Sequence, residues 1–187
     1  MELFRKGFRR PFFTTAGECM ILTGSEIVAE YRRGRITIDP FDERHVNPNS
    51  YNYHLSDLIR LPNGEADSQS ASVIAIPTSG IVLQPKRLYL AATSERVGSD
   101  TFVTTLIGCS SMGRLGLFLE LAADLGHTGD AHQWTLELVC VQSLRIYPGM
   151  RVGQLCFWEP SGAISMYRSG YTAFNHPAVN IRDIRVE

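Results

Sequence analysis

Cysteine is scarce in this 187-residue chain, and the four present, Cys19, Cys109, Cys140 and Cys156, form no CxxC pair. That is too few for a disulfide scaffold, and no histidines stand at zinc-ligand spacing from them. Scattered thiols without a signal peptide fit the cytoplasm. No apolar run approaches the roughly 20 residues that a membrane span needs, so no membrane partner is expected. Charge of one sign is also lacking. Eighteen Lys and Arg against nineteen Asp and Glu give a net charge of -1, which offers no general field for nucleic acid. A nucleotide-sized anion needs only a few placed arginines.

Several catalytic signatures are missing as well. There is no GxxxxGK[ST] phosphate loop and no GxSxG serine elbow, and neither HxE nor PCxxC of the zinc deaminases occurs. His54, His127, His132 and His176 fall into no triad pattern. The chain has no internal repeat, no low-complexity tract and no linker that would divide it.

What is present suits one domain with a real core, since 44% of the residues are hydrophobic. Residues 1–20 read as an N-terminal extension, with Arg5, Lys6, Arg9 and Arg10 interleaved with Phe4, Phe8, Phe12 and Phe13. A basic-aromatic arm for a partner and a loosely packed terminus are both open readings. Residues 21–187 read as the domain. Thr23 to Glu26 predicts a capping box opening a helix, with Ile27 and Tyr31 on one face and Gly34 to end it.

After Gly34 the period changes to two. The expected strands cover 36–38, 51–55, 58–61, 73–76, 81–83, 88–92, 102–107, 117–121, 134–141, 144–146 and 152–158. Asp39-Pro40, Pro62-Asn63-Gly64 and Tyr147-Pro148-Gly149 mark turns. Many short strands and one helix predict a mainly β sandwich or barrel.

Two segments could carry chemistry. Gly108 to Gly116 reads Gly-Cys-Ser-Ser-Met-Gly-Arg-Leu-Gly. Its adjacent hydroxyls, backbone N–H groups and guanidinium could converge on an anion. It could equally be a tight turn with Ser110 or Ser111 capping a helix. Glu137 lies mid-strand in Trp134-Thr-Leu-Glu-Leu-Val-Cys140-Val. A carboxylate there must face solvent, a partner or a cavity. In a cavity, desolvation would suit it to proton transfer near neutral pH. Facing outward beside Thr135 and Val139, it would be an ordinary surface residue.

Taken together, these segments resemble the dCTP deaminase branch of the dUTPase superfamily, collinearly from about Ile21 to Trp158. The resemblance is carried by Leu22 to Ile27, Gly34 to Phe41, Asn47 to Leu55, Leu83 to Pro85 with Leu90 to Val97, Gly108 to Gly116, Thr135 to Leu138, and Pro148 to Phe157. It implies a distorted β-barrel with one N-terminal helix and a short helical turn near 111–116. It also implies a homotrimer with active sites shared between subunits, acting on a pyrimidine nucleotide.

The implied reaction is metal-free deamination of dCTP to dUTP, with some members continuing to dUMP and pyrophosphate. By resemblance, Glu137 shuttles protons between the attacking water and the ring. Ser110, Arg114 and the Ala123 carbonyl hold that water and support the glutamate. Ser111, Gly113, His127, Trp134 and Tyr171 fall at substrate-binding positions. No cofactor is expected on protein side chains, with Mg²⁺ associated only with the substrate phosphates.

The match has departures. Cys109 stands where the resembled motif has a cation, His127 where it has an aspartate, and Asn52 where it has an aspartate. The tail from Ser169 to Pro177 keeps Tyr171 and little else of the family's lid. Arg145, Arg151 or Arg168 could restore the lost charge. A different pyrimidine nucleotide as substrate, or an inactive trimeric binding protein, are the competing readings.

Overall fold

Alternation of apolar and polar residues governs this chain, and the computed structural model turns nearly every alternating stretch into a strand. It describes residues 20–61, 72–119, 123–167 and 175–177. Nearly all of the expected 1–20 extension, the Pro62–Gly64 turn and Tyr171 lie outside them.

The elements run in this order: β1 (Met20–Ile21), α1 (Gly24–Arg32), β2 (Thr37–Asp39), a 3-10 turn (Glu43–His45), β3 (Val46–Asn47) and β4 (Ser50–Arg60). Then come β5 (Val73–Ala75), β6 (Ile81–Leu83), β7 (Leu88–Ser99), β8 (Val103–Gly108) and α2 (Ser110–Arg114). The rest are β9 (Leu117–Leu119), β10 (Gly129–Cys140), β11 (Leu144–Ile146) and β12 (Arg151–Glu159).

Ten strands form one curled sheet along β1-β12-β4-β7-β10-β9, with β2 on β7, β3 and β5 on β4, and β8 on β12. A two-stranded sheet, β6 with β11, completes a distorted β-barrel. No helix among the described residues is long and apolar enough to cross a membrane.

The helix differs from the sequence expectation at its start. Thr23 occupies the N-cap position in extended conformation, but its side chain makes no capping bond. Its Oγ1 lies 3.1 Å from Ser25 Oγ instead, so the expected capping box does not form. Gly24 is required by space, because a Cβ there would lie 2.2 Å from the Asn47 carbonyl oxygen. Ile27 points fully into the core, a burial worth about 1.5–3 kcal/mol. Tyr31 stacks on Phe41 at 4.0 Å, and Phe41 on Tyr51 at 5.4 Å.

The segments expected at 51–55 and 58–61 are one strand with a bend. Residues 51–54 of β4 pair with β12, and residues 55–60 pair with β7, with a register shift between Leu55 and Ile59. β4 thereby carries the chain from one side of the barrel to the other. The strand expected at 88–92 runs on to Ser99 because a bulge absorbs its polar middle. Between Ala92 and Arg96 the register with β10 shifts. There Thr93 Oγ1 accepts the Trp134 N–H at 2.9 Å and donates to the Glu95 carbonyl at 2.7 Å. The bulge turns Glu95 inward, where it is 3% exposed. Its carboxylate accepts from the His54 N–H at 3.0 Å and from Ser94 Oγ at 3.0 Å, and it meets His54 Nδ1 at 2.7 Å.

The turn at Tyr147-Pro148-Gly149 forms as expected, with Gly149 at φ +70° and the Met150 N–H donating to the Tyr147 carbonyl at 3.3 Å.

Candidate active site

The helical turn expected near 111–116 begins one residue earlier and is shorter, with α2 ending at Arg114. Its N-cap position belongs to Cys109, not to either serine, and no side chain caps it. Cys109 Sγ lies 3.2 Å from Ser111 Oγ. Cys109 and Met112 are buried and hold the turn against the core, which leaves Ser110, Ser111, Gly113 and Arg114 exposed. A Cβ on Gly113 would meet nothing within 4 Å, so the chain's own packing does not demand glycine there.

The turn is anchored at both ends. Before it, Gly108 pairs with Gly153 of β12, and the Cys109 N–H donates to the Val152 carbonyl at 3.1 Å. After it, Gly116 at φ +81° accepts the Val141 N–H at 2.9 Å, and a Cβ there would lie 2.5 Å from Val141 Cγ2. Glycine is therefore forced at 116 by both backbone and space.

Glu137 lies on β10, where Leu136, Leu138 and Cys140 are buried and Thr135, Glu137 and Val139 are half-buried on the opposite face. The expected shared face of Thr135, Glu137 and Val139 is thus observed. Cys140 pairs with Leu117 at the start of β9, which puts Glu137 about 10 Å along β10 from the end of the turn, at roughly 3.4 Å per residue.

Ala123 is exposed on a segment that runs beside β8. The Leu106 N–H donates to the Asp124 carbonyl at 2.9 Å, and Leu125 bridges Thr105. Ala123 therefore lies near the end of β8, where the serine turn begins.

His127 and Trp134 serve different ends. The Trp134 indole donates to the Val97 carbonyl at 3.0 Å and stacks on His132 at 5.2 Å. A Cβ on Gly126 would lie 1.8 Å from Trp134 Cη2, so the ring fills the space a side chain at 126 would take. His127 is exposed at a cavity of about 340 Å³ walled by Val103, Leu125, Thr128, Met166 and Tyr167. Its ring lies 4.9 Å from that of Tyr167. The Tyr167 N–H donates to the Thr128 carbonyl at 2.8 Å, and Thr128 Oγ1 donates to the Ser165 carbonyl at 3.1 Å.

Sequence reasoning did not find Tyr167, which has no local pattern to mark it. It also missed the His54–Glu95 pair, although the polar run Thr93-Ser94-Glu95 inside an apolar strand was a readable sign of a bulge.

No group of three or more His, Cys, Asp or Glu among the described residues could hold a metal ion. Burial pushes the Cys140 and Cys156 thiols up, which suits inert core residues.

The mainly β fold and the short helical turn at Ser110–Arg114 agree with the nucleotide-deaminase resemblance, and Glu137 is half-buried on β10. A family model described as dCTP deaminase-like matches residues 21–160, and the chain belongs to that family. It is 40% identical over 155 residues to the dCTP deaminase, dUMP-forming, of Clostridium beijerinckii, covering 81% of this chain and 89% of the relative. It is 45% identical over 148 residues to the dCTP deaminase of Rhodopirellula baltica, covering 76% of this chain and 74% of that one. Among solved structures, the 2'-deoxycytidine 5'-triphosphate deaminase of Agrobacterium tumefaciens shares the fold. Its TM-score is 0.63 at 18% identity, over 76% of this chain and 49% of that chain.

Proposed function

We propose that this chain, as one domain over residues 21–187, deaminates dCTP to dUTP and ammonia without a protein-bound metal. The observation that carries the reading is the family match over residues 21–160, within which Glu137 stands half-buried on β10. Relatives at 40% and 45% identity are named for dCTP deamination.

In the proposed reaction, water held by Ser110, Arg114 and the Ala123 carbonyl attacks C4 of the cytosine ring. Glu137 takes its proton and delivers it to the ring nitrogen. A second transfer to the exocyclic amine lets ammonia leave as the C4 carbonyl forms. Positioning and general base catalysis share the task that a metal-bound hydroxide performs elsewhere.

Ser111 and Gly113 face the phosphates, which carry their own Mg²⁺. His127, Trp134 and Tyr171 complete the substrate surface, with Trp134 acting through its packing on Gly126. Leu88 and Phe118 are exposed on the two strands flanking Val139. This apolar outer face supports a homotrimer with sites shared between subunits. Free Cys109, Cys140 and Cys156 fit a reducing cytoplasm.

A second reading has a specific support. Several relatives are named dUMP-forming, so dUTP could be cleaved further to dUMP and pyrophosphate. His127 argues against it here, because it replaces the aspartate that the resemblance assigns to positioning the hydrolytic water.

One screen tests both readings. Cytidine and deoxycytidine mono-, di- and triphosphates are supplied, and ammonia and pyrophosphate are measured together. Ammonia from dCTP without pyrophosphate is expected. Both products together favour the second reading, and ammonia from none of the substrates sinks both.

A further inference from the structure

The serine turn faces a polyanion, in the proposed function, with little positive charge of its own. Cys109 is a buried cysteine where a cation is expected, and Arg114 is assigned to the water and glutamate. A further cation among the described residues follows from the strand register. β12 passes Gly108 at Gly153, and its Val152 carbonyl accepts the Cys109 N–H at 3.1 Å. Arg151, the residue before Val152 on β12, is therefore one position from the backbone contact that fixes the start of the turn. Val152 is fully buried and Arg151 is exposed, as are Ser110 and Ser111.

Its other neighbour does not neutralise it. Arg151 pairs in register with His54 of β4, and the Glu95 carboxylate behind His54 is occupied by the His54 N–H, His54 Nδ1 and Ser94 Oγ. Among the described residues Arg151 has no ion pair, whereas other arginines are engaged elsewhere. Arg145 donates to the Ser79 and Gly80 carbonyls at 3.1 and 3.4 Å beside the β6–β11 sheet. Arg96 donates to the Ala131 carbonyl at 3.0 Å.

We propose that Arg151 binds the substrate polyphosphate beside Ser110 and Ser111, supplying from β12 the charge that the turn lacks at Cys109. This rests on the proposed nucleotide triphosphate substrate.

The test uses the full chain with Arg151→Gln and Arg151→Lys, and Arg145→Gln for comparison. A charge-assisted contact to phosphate is worth tenfold or more in affinity, so Arg151→Gln should raise KM for dCTP by ~10-fold with kcat held within about twofold. Arg151→Lys should recover much of that loss, and Arg145→Gln should leave KM unchanged. An unaltered KM in Arg151→Gln overturns the assignment.

Calorimetric binding of inorganic tripolyphosphate gives a readout that does not need turnover. If the parent protein fails to deaminate dCTP, the proposed function falls. Weaker tripolyphosphate binding by Arg151→Gln would still support the site. Equal binding by both proteins, or binding by neither, overturns it.

Discussion

Glu137 faces Leu90 across the β7–β10 ladder, and the next residue on that face, Val139, is flanked by Leu88 on β7 and Phe118 on β9. The carboxylate thus stands at the margin of an apolar outer patch. Glu137→Gln keeps the shape of the side chain and one acceptor oxygen while removing its ability to carry a proton. Ammonia release from dCTP should fall by roughly 10²–10⁴-fold, the range for a general acid-base group. Melting temperature and oligomeric mass should stay as in the parent. Retained turnover would falsify the role of Glu137.

His127 and Tyr167 wall one cavity, with their rings 4.9 Å apart. An aspartate at 127 would offer an acceptor where the imidazole now offers a ring face. His127→Asp is expected to shift the ratio of kcat/KM for dCTP over CTP toward the deoxynucleotide. Steady-state ammonia release with both substrates measures this, and an unchanged ratio removes His127 from sugar recognition.

Magnesium should matter only through the substrate. A general chelator is expected to slow turnover and added Mg²⁺ to restore it, while a zinc-specific chelator should do nothing. Inhibition by the zinc chelator that Mg²⁺ cannot reverse would show a protein-bound metal.

Glu30 supplies a pH-dependent stability test away from the site. Burial alone raises its pKa, but hydrogen bonds from Arg35 and Arg33 and their charges outweigh it and hold the carboxyl below its usual range. A carboxyl with a lowered folded-state pKa stabilises the fold above the unfolded value of about 4.3, and that contribution disappears as pH falls through the folded value. Both arginines are half-exposed or more, so solvent screening limits the effect. Glu30→Gln should cost about 1–3 kcal/mol at pH 7, a melting-temperature drop of roughly 2–12 °C for a chain of this size. The gap from the parent should close as the pH is lowered below about 4. A gap that stays constant from pH 7 to pH 3 would mean that the ion pairs contribute nothing.

Much of the barrel was legible because alternation is a local property. Ile81–Leu83 and Leu144–Ile146 could be read to the residue, and the odd and even faces around Glu137 followed from period two alone. What escaped depended on distant partners. The extension of β7 through Thr93, Ser94 and Glu95 needs the Trp134 N–H and the His54 side chain, which lie about forty positions away in sequence. The capping box at Thr23 failed because Ser25 offered the hydroxyl a nearer partner.

The turn at 110–114 was readable as a turn, but its anchoring by Val152 was not, since nothing near Cys109 announces it. Tyr167 reaches His127 only because Gly129 lets the two segments meet. A Cβ at 129 would lie 2.4 Å from the Tyr167 carbonyl oxygen.

β12 has a consequence for the order of events during synthesis. It lies between β4 and β8, and it holds the backbone of Cys109 through Val152. A nascent chain still short of Arg151 has already made Ser110, Arg114, Ala123 and Glu137, yet nothing fixes the start of the turn. On the ribosome Ser110, Arg114, Ala123 and Glu137 are therefore all present well before β12 can hold the start of the turn, and order there waits for residues 151–159 to emerge.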